Sequence, residues 1–163
     1  MRGPRPSGRA GSAHRRRELV QVAVTAHPTA AWVWRQLIEA TAWGRRPRHL
    51  VRDRDTVFGG DVAARAKGLG IDTNHTPVRA LRANAIAECV VRTLRNECLD
   101  YGIVLNEAHL RAVLRAYVTY YNTARPHRSL GLTPPLPGER RRTGPIHARP
   151  VLGGLHHIYE RAA

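Results

Sequence analysis

The sequence predicts an α/β fold, a mixed sheet flanked by helices, because short apolar runs alternate with amphipathic segments. ELVQVAVTA (18–26) is apolar on both faces of an extended chain, which is typical of a strand buried on two sides. Thr29 is a suitable N-cap for the helix that follows it. Strands are predicted at 18–26, 49–51 and 71–74, and helices at 30–43 and, capped by Asp61, 61–67.

Two longer helices are predicted in the second half of the chain. ANAIAECVVRTLRNECLD (83–100) is amphipathic, with an apolar stripe on one face and Glu88 on another. The stripe consists of Ile86, Val90 and Leu94. Asn106 begins the second helix, which the sequence RPHR (125–128) ends abruptly. Its predicted buried side chains are Leu110, Val113, Leu114, Tyr117 and Tyr121, whereas His127 is expected to be a surface or packed histidine.

The composition favours a nucleic-acid partner. The chain has 27 Lys plus Arg against 12 Asp plus Glu, a formal charge of +15, and Lys67 is its single lysine. Residues 1–17 contain arginines but no acid and almost no apolar side chain, so they are expected to form a disordered basic arm. That arm either contacts DNA or has no role. Residues 131–163 are predicted to be a Pro/Gly/Arg-rich tail with a possible short hairpin at Gly153-Gly154.

The two cysteines indicate a reduced, cytoplasmic compartment. Cys89 and Cys98 are nine positions apart in one predicted helix and are not expected to pair. No apolar run approaches the roughly 20 residues that a membrane span needs, so a membrane is not an expected partner. His156-His157 is weak evidence for a metal site, because two adjacent imidazoles lack further ligands.

Two carboxylates predict a divalent-metal site. Asp53 directly follows the predicted strand at 49–51, and Glu88 lies on the polar side of a helix, with 34 residues between them. Mg²⁺ prefers oxygen ligands and is commonly held by one or two carboxylates together with substrate phosphates. The structural alternative for Glu88 is an ion pair with Arg92 at i,i+4.

Three motifs in order resemble the catalytic core of insertion-sequence transposases and retroviral-type integrases. They are RDRDTVF (52–58), ANAIAE (83–88) and YYNTARPHRSLGLTPP (120–135), and the resemblance covers roughly residues 18–137. It implies a ribonuclease H-like fold and a metal-binding triad of two aspartates and a glutamate. Asp53 matches the second aspartate, Glu88 the glutamate, and Asn84 an asparagine one helical turn before it. Asp55 stands where many relatives have glycine and is not taken as a ligand.

The resemblance implies Mg²⁺- or Mn²⁺-dependent cleavage of DNA 3′ ends and strand transfer, the chemistry of a mobile element. The residues expected to contact DNA are Arg79, Arg82, Asn84, Arg92 and Arg95. For the segment that carries Arg79 and Arg82, the alternative is a loop whose charges face water.

The first aspartate of the triad has no counterpart, since no acidic residue precedes Glu18. The sequence therefore predicts a core truncated to 18–130, lacking its first strand and inactive or nearly so alone. Three hypotheses stay open: an enzyme completed by a homo-oligomer or a full-length transposase, a non-catalytic DNA-binding remnant or regulator, and a decayed reading frame whose product does not accumulate.

Overall fold

The computed structural model describes residues 17–41, 49–52, 60–75, 85–139 and 141–162. The helices are α1 (Ala30–Thr41), α2 (Gly60–Gly68), α3 (Ala85–Glu97) and α4 (Glu107–Thr123). The strands are β1 (His49–Arg52), β2 (Asp72–His75), β3 (Ile146–Val151) and β4 (His156–Arg161). Short 3₁₀ turns occupy Leu99–Tyr101, Arg128–Leu130 and Leu152–Gly154. No helix among these residues is both long and apolar enough to cross a membrane.

The first half of the described chain contains a parallel βαβ unit. Strands β1 and β2 pair in parallel from His49↔Asp72 to Arg52↔His75, with α2 connecting them and α1 packed against α2. Thr29 caps α1 as predicted, because its Oγ1 accepts a hydrogen bond from the Trp32 N–H at 3.2 Å. Helix α2 begins one residue earlier than predicted, so that Asp61 lies inside it instead of capping it.

Helix α2 ends in a Schellman motif that delivers the chain to β2. The Ile71 N–H donates to the Ala66 carbonyl at 3.0 Å, and the Gly70 N–H donates to the Lys67 carbonyl at 2.9 Å. Ala66 and Ile71 are both fully buried, which is the hydrophobic contact that accompanies this motif. Gly70 has φ +74°, a left-handed conformation that disfavours any side chain with a Cβ.

Substitutions at two neighbouring glycines are therefore expected to have opposite effects on stability. Gly70→Ala should lower the free energy of unfolding by about 1 kcal/mol, because alanine is strained at positive φ. Gly68→Ala is the matched control, since Gly68 ends α2 without a positive φ and nothing lies within 4 Å of an added Cβ at either position. It should be neutral or raise stability by up to ~1 kcal/mol. Urea denaturation measures both, and equal effects would contradict the assigned backbone.

The predicted strand at 18–26 is not a strand, which corrects the interpretation of its alternating pattern. The segment has no regular secondary structure and pairs with no strand among the described residues, and Val20 is 37% exposed. At Leu19, the side chain of Asn122 on α4 makes the two backbone hydrogen bonds that a neighbouring strand would make. Its Oδ1 accepts from the Leu19 N–H at 3.0 Å, and its Nδ2 donates to the Leu19 carbonyl at 2.9 Å. A period of two predicts an extended backbone but not the group that satisfies it.

The mixed α/β class is confirmed, but the described strands do not form one mixed sheet. β1 and β2 form a parallel pair, and β3 and β4 form a separate antiparallel pair. Parallel and antiparallel pairing therefore both occur, in different parts of the chain.

The second half packs around α4, as its apolar stripe predicts. Asn106 caps α4 by accepting the His109 N–H at 2.8 Å, and Leu114, Tyr117 and Tyr121 are buried. Cys98 joins Tyr117 and Tyr121 in the core cluster, and both cysteines are free thiols. Partly buried side chains packed against this cluster include Leu19, Leu94, Leu99, Val113 and Leu152.

Part of the segment predicted as a tail is packed. The Leu136 N–H donates to the Asn122 carbonyl at 2.7 Å, and Pro134 is fully buried. A hairpin forms around Gly153-Gly154, as predicted. Its first strand, β3, lies in the Pro/Gly/Arg-rich part of the predicted tail. Proline and glycine content thus predicted irregular backbone here, but not how that backbone packs.

Candidate metal and nucleic-acid site

The two predicted carboxylates follow the strands of the parallel pair along the sequence. Arg52 and His75 are the last paired residues of β1 and β2, so both strands leave the sheet at the same edge. Asp53 follows Arg52 directly, and the chain after His75 leads to α3, where Glu88 lies in the first turn. Ligands of α/β sheets commonly bind outside the carboxyl ends of the strands.

Several of the predicted site residues lie outside the described residues. They are Asp53, Arg79, Arg82 and Asn84. The structure therefore brings together three members of the predicted set, all on α3: Glu88, Arg92 and Arg95.

These three side chains form one exposed, charged face of α3. Glu88, Arg92 and Arg95 are exposed, whereas Val90 and Leu94 on the other side of the helix are partly buried. Positions four and three apart lie on the same side of a helix, so the carboxylate has two guanidinium groups along its own face.

The structural alternative for Glu88 is not realised. Among the described side chains, no ion pair joins Glu88 to Arg92, although i,i+4 pairs do form elsewhere, between Arg35 and Glu39 at 3.5 Å and between Arg111 and Glu107. The Glu88 carboxylate is thus exposed and available to a ligand. The carboxylate oxygens of Glu88 and Asp53 are metal ligands of the kind that Mg²⁺ and Mn²⁺ prefer.

The adjacent residues His156 and His157 both make ring contacts in the structure. Within the described ranges, no group of three or more His, Cys, Asp or Glu side chains could hold a metal ion. His156 instead stacks on Tyr120 with ring centroids 4.5 Å apart, and its Nε2 donates to the Glu97 carbonyl at 2.7 Å.

The helix that carries Glu88 is fixed at its other end by a charged clamp. The Glu97 carboxylate at the end of α3 accepts two hydrogen bonds from the Arg125 guanidinium, one of them from Nε at 2.6 Å. It also accepts the Tyr117 hydroxyl hydrogen at 2.7 Å. Burial raises the pKa of Glu97, but the hydrogen bonds from Arg125 and Tyr117 outweigh it and leave that pKa lowered.

The block that follows α4 completes this clamp. Arg125 also lies over the Tyr121 ring, 5.4 Å from its centroid. His127 is only 4% exposed and packs edge-on against Tyr121 with centroids 4.6 Å apart, so of the two predicted possibilities, a surface or a packed histidine, the structure shows the packed one. Burial lowers the pKa of His127, so its neutral form is favoured. The RPHR sequence thus has a packing role that joins α3 to α4.

The sequence analysis did not predict the contact between Glu97 and Arg125. The two residues are 28 positions apart, and neither belongs to a periodic pattern that links them.

Part of the chain matches a known family. The family model for the integrase core domain matches residues 69–135, which include β2, α3 and α4. This segment is similar to integrase core domains, which supports the resemblance to insertion-sequence transposases and integrases. Glu88 lies within the match and Asp53 precedes it. No curated protein and no solved structure matched the chain.

Proposed function

We propose that this protein is a DNA integrase or transposase catalytic-core protein with a ribonuclease H-like fold. The observation that carries the proposal is the integrase core match over α3, where Glu88 is exposed beside Arg92 and Arg95. A formal charge of +15 supports DNA as its partner. The free thiols of Cys89 and Cys98 agree with a cytoplasmic location.

Asp53 and Glu88 would hold Mg²⁺ or Mn²⁺. When bound, the cation would neutralise negative charge on the reacting phosphate. Arg92 and Arg95 would bind neighbouring phosphates of the DNA, as would Arg79 and Arg82, and Asn84 would position the substrate. Glu97 and Arg125 would hold α3 in place, so that Glu88 faces the DNA with little freedom to move.

The proposed chemistry has two displacements. In the first, a water oxygen attacks a phosphorus atom at the element end, the P–O3′ bond breaks, and a free 3′-hydroxyl remains. In the second, that hydroxyl oxygen attacks a target phosphodiester, a new P–O bond forms, and the target 3′ oxygen leaves with a proton. One phosphodiester is exchanged for another, so strand transfer needs no external energy source and no covalent enzyme intermediate.

We further propose that the 163-residue chain is inactive alone. The two proposed ligands, Asp53 and Glu88, are without a third carboxylate that would bridge two metal ions. An oligomer or a full-length transposase would have to complete the site. The second candidate function is a non-catalytic DNA-binding regulator, which the exposed arginines of α3 favour without any need for metal.

A nicking and strand-transfer assay with Mn²⁺ tests the proposal. The chain alone is expected to bind labelled duplex DNA without cutting it, and addition of a polypeptide that supplies the missing aspartate should restore nicking. Glu88→Gln should abolish the restored nicking, because the amide cannot serve as an anionic ligand. Glu107→Gln is the matched control, an exposed glutamate in the first turn of α4, and should cut like the wild type.

Two outcomes would contradict the proposal in different ways. Nicking by the chain alone that Glu88→Gln abolishes would show that the site works without a third carboxylate. Restored nicking that persists in Glu88→Gln would remove Glu88 from the site. Salt-sensitive DNA binding with no nicking under any combination would favour the regulator.

A further inference from the structure

The β3–β4 hairpin lies beyond the integrase core match and has two different faces. Its register pairs Ala148 with Tyr159 and Val151 with His156. Cross-strand partners lie on the same face of an antiparallel pair, and alternate residues lie on opposite faces. One face therefore carries Val151, His156 and Ile158, and the other carries Tyr159.

The first face anchors the hairpin to the core. His156 stacks on Tyr120 of α4 and donates to the Glu97 carbonyl, and Leu152 at the turn packs against the core cluster. On the same face, Arg149 forms an ion pair with Glu160 at 2.9 Å. These contacts fix the hairpin at its turn end and leave the opposite face directed away from α4.

The second face, here called the outer face, presents rings to solvent. It consists of Ile146, Ala148, Pro150, His157, Tyr159 and Arg161, all of which are exposed. Tyr159 is 73% exposed, and its cross-strand partner is alanine, so no large side chain covers the ring. The His157 ring lies two residues away on the same strand, with its centroid 6.3 Å from that of Tyr159.

The charge around the outer face is complementary to nucleic acid. Residues 139–163 contain five arginines, at positions 140, 141, 142, 149 and 161, against two glutamates, at 139 and 160. Glu160 is already paired with Arg149 on the other face. Arg161 donates to the Gly144 carbonyl at 2.8 Å, which holds its guanidinium at the end of the outer face while leaving other N–H groups free.

We propose that the outer face binds unpaired DNA, with a base stacked on Tyr159 and the neighbouring phosphate held by Arg161. Aromatic rings on a basic sheet surface bind single strands in this way, because every base has a π-face and stacking tolerates any sequence. The spacing of His157 and Tyr159 along β4 gives a second ring for the adjacent base. The proposal relies on the proposed function only for the choice of DNA over RNA. The hairpin would bind DNA strands that are opened near the integration site.

Fluorescence anisotropy of labelled oligo(dT), measured in EDTA, tests the outer face without involving the metal site. Tyr159→Ala is expected to weaken binding by about tenfold, whereas Tyr159→Phe should bind like the wild type. Tyr101→Ala is the matched control, since Tyr101 is 67% exposed but lies in the loop after α3, and it should leave the affinity unchanged.

Salt dependence separates stacking from phosphate contact. Tyr159→Ala should keep the wild-type slope of log affinity against log salt, whereas Arg161→Gln should reduce that slope by about 0.7. Equal affinity of Tyr159→Ala and the wild type would overturn the proposal. So would a Tyr159-dependent dimer seen by sedimentation without DNA, since a second copy would then be the occupant. Because neither measurement needs nicking, failure here is distinguishable from failure of the proposed function.

Discussion

Arg125→Ala is expected to lower the free energy of unfolding by about 2–3 kcal/mol. The substitution removes two hydrogen bonds to the Glu97 carboxylate and the cation above the Tyr121 ring. Glu97 and Arg125 side chains are only 31% and 23% exposed, so water replaces the lost contacts incompletely. Urea denaturation followed by tryptophan fluorescence and circular dichroism measures the loss.

Arg35→Ala is the control for this prediction. The Arg35–Glu39 ion pair lies on α1 with side chains 78% and 49% exposed, and its loss should cost no more than about 0.5 kcal/mol.

The pH dependence of stability gives a second test of the contact between Glu97 and Arg125. Because the pKa of Glu97 is lowered below its ordinary 4.5, the clamp stabilises the fold above that pH and loses its effect as the pH falls through the lowered value. A cost of Arg125→Ala that stays constant into strong acid would contradict the clamp.

Most of the correct predictions rest on sequence signals between residues that are close together in the chain. Periodicity and capping predicted α1 behind Thr29, α4 behind Asn106, and the burial of Tyr117 and Tyr121. Each of these depends on residues within a few positions of one another, so one sequence contains the whole signal. The exposed face of α3 with Glu88 was predicted in the same way.

The predictions that failed depend on distant partners. The apolar alternation at 18–26 indicated extension, but its backbone is satisfied at Leu19 by Asn122, 103 positions away. The contact between Glu97 and Arg125 spans 28 positions and has no periodic signal. Position relative to the sheet edge suggested Asp53 and Glu88 as partners, and their pairing through a metal stays a prediction.

Glu88→Gln is expected to weaken Mn²⁺ binding at least tenfold. The substitution keeps the size of the side chain but replaces an anionic donor with a neutral one, and loss of even a supporting group around a metal typically costs 10–100-fold in affinity. The fold should be unaffected, because Glu88 is exposed and makes no ion pair with Arg92 among the described residues. Thermal unfolding of the metal-free variant should therefore match that of the wild type.

Titration of Mn²⁺, with the free ion detected by electron paramagnetic resonance, tests the proposed carboxylate site most directly. Wild type and Glu107→Gln should remove the free-ion signal equally, whereas Glu88→Gln and Asp53→Asn should each remove much less. Competition by Mg²⁺ should return the signal in the wild type, since both ions prefer oxygen ligands. Equal Mn²⁺ binding by wild type and Glu88→Gln would contradict the proposal that Glu88 is a metal ligand.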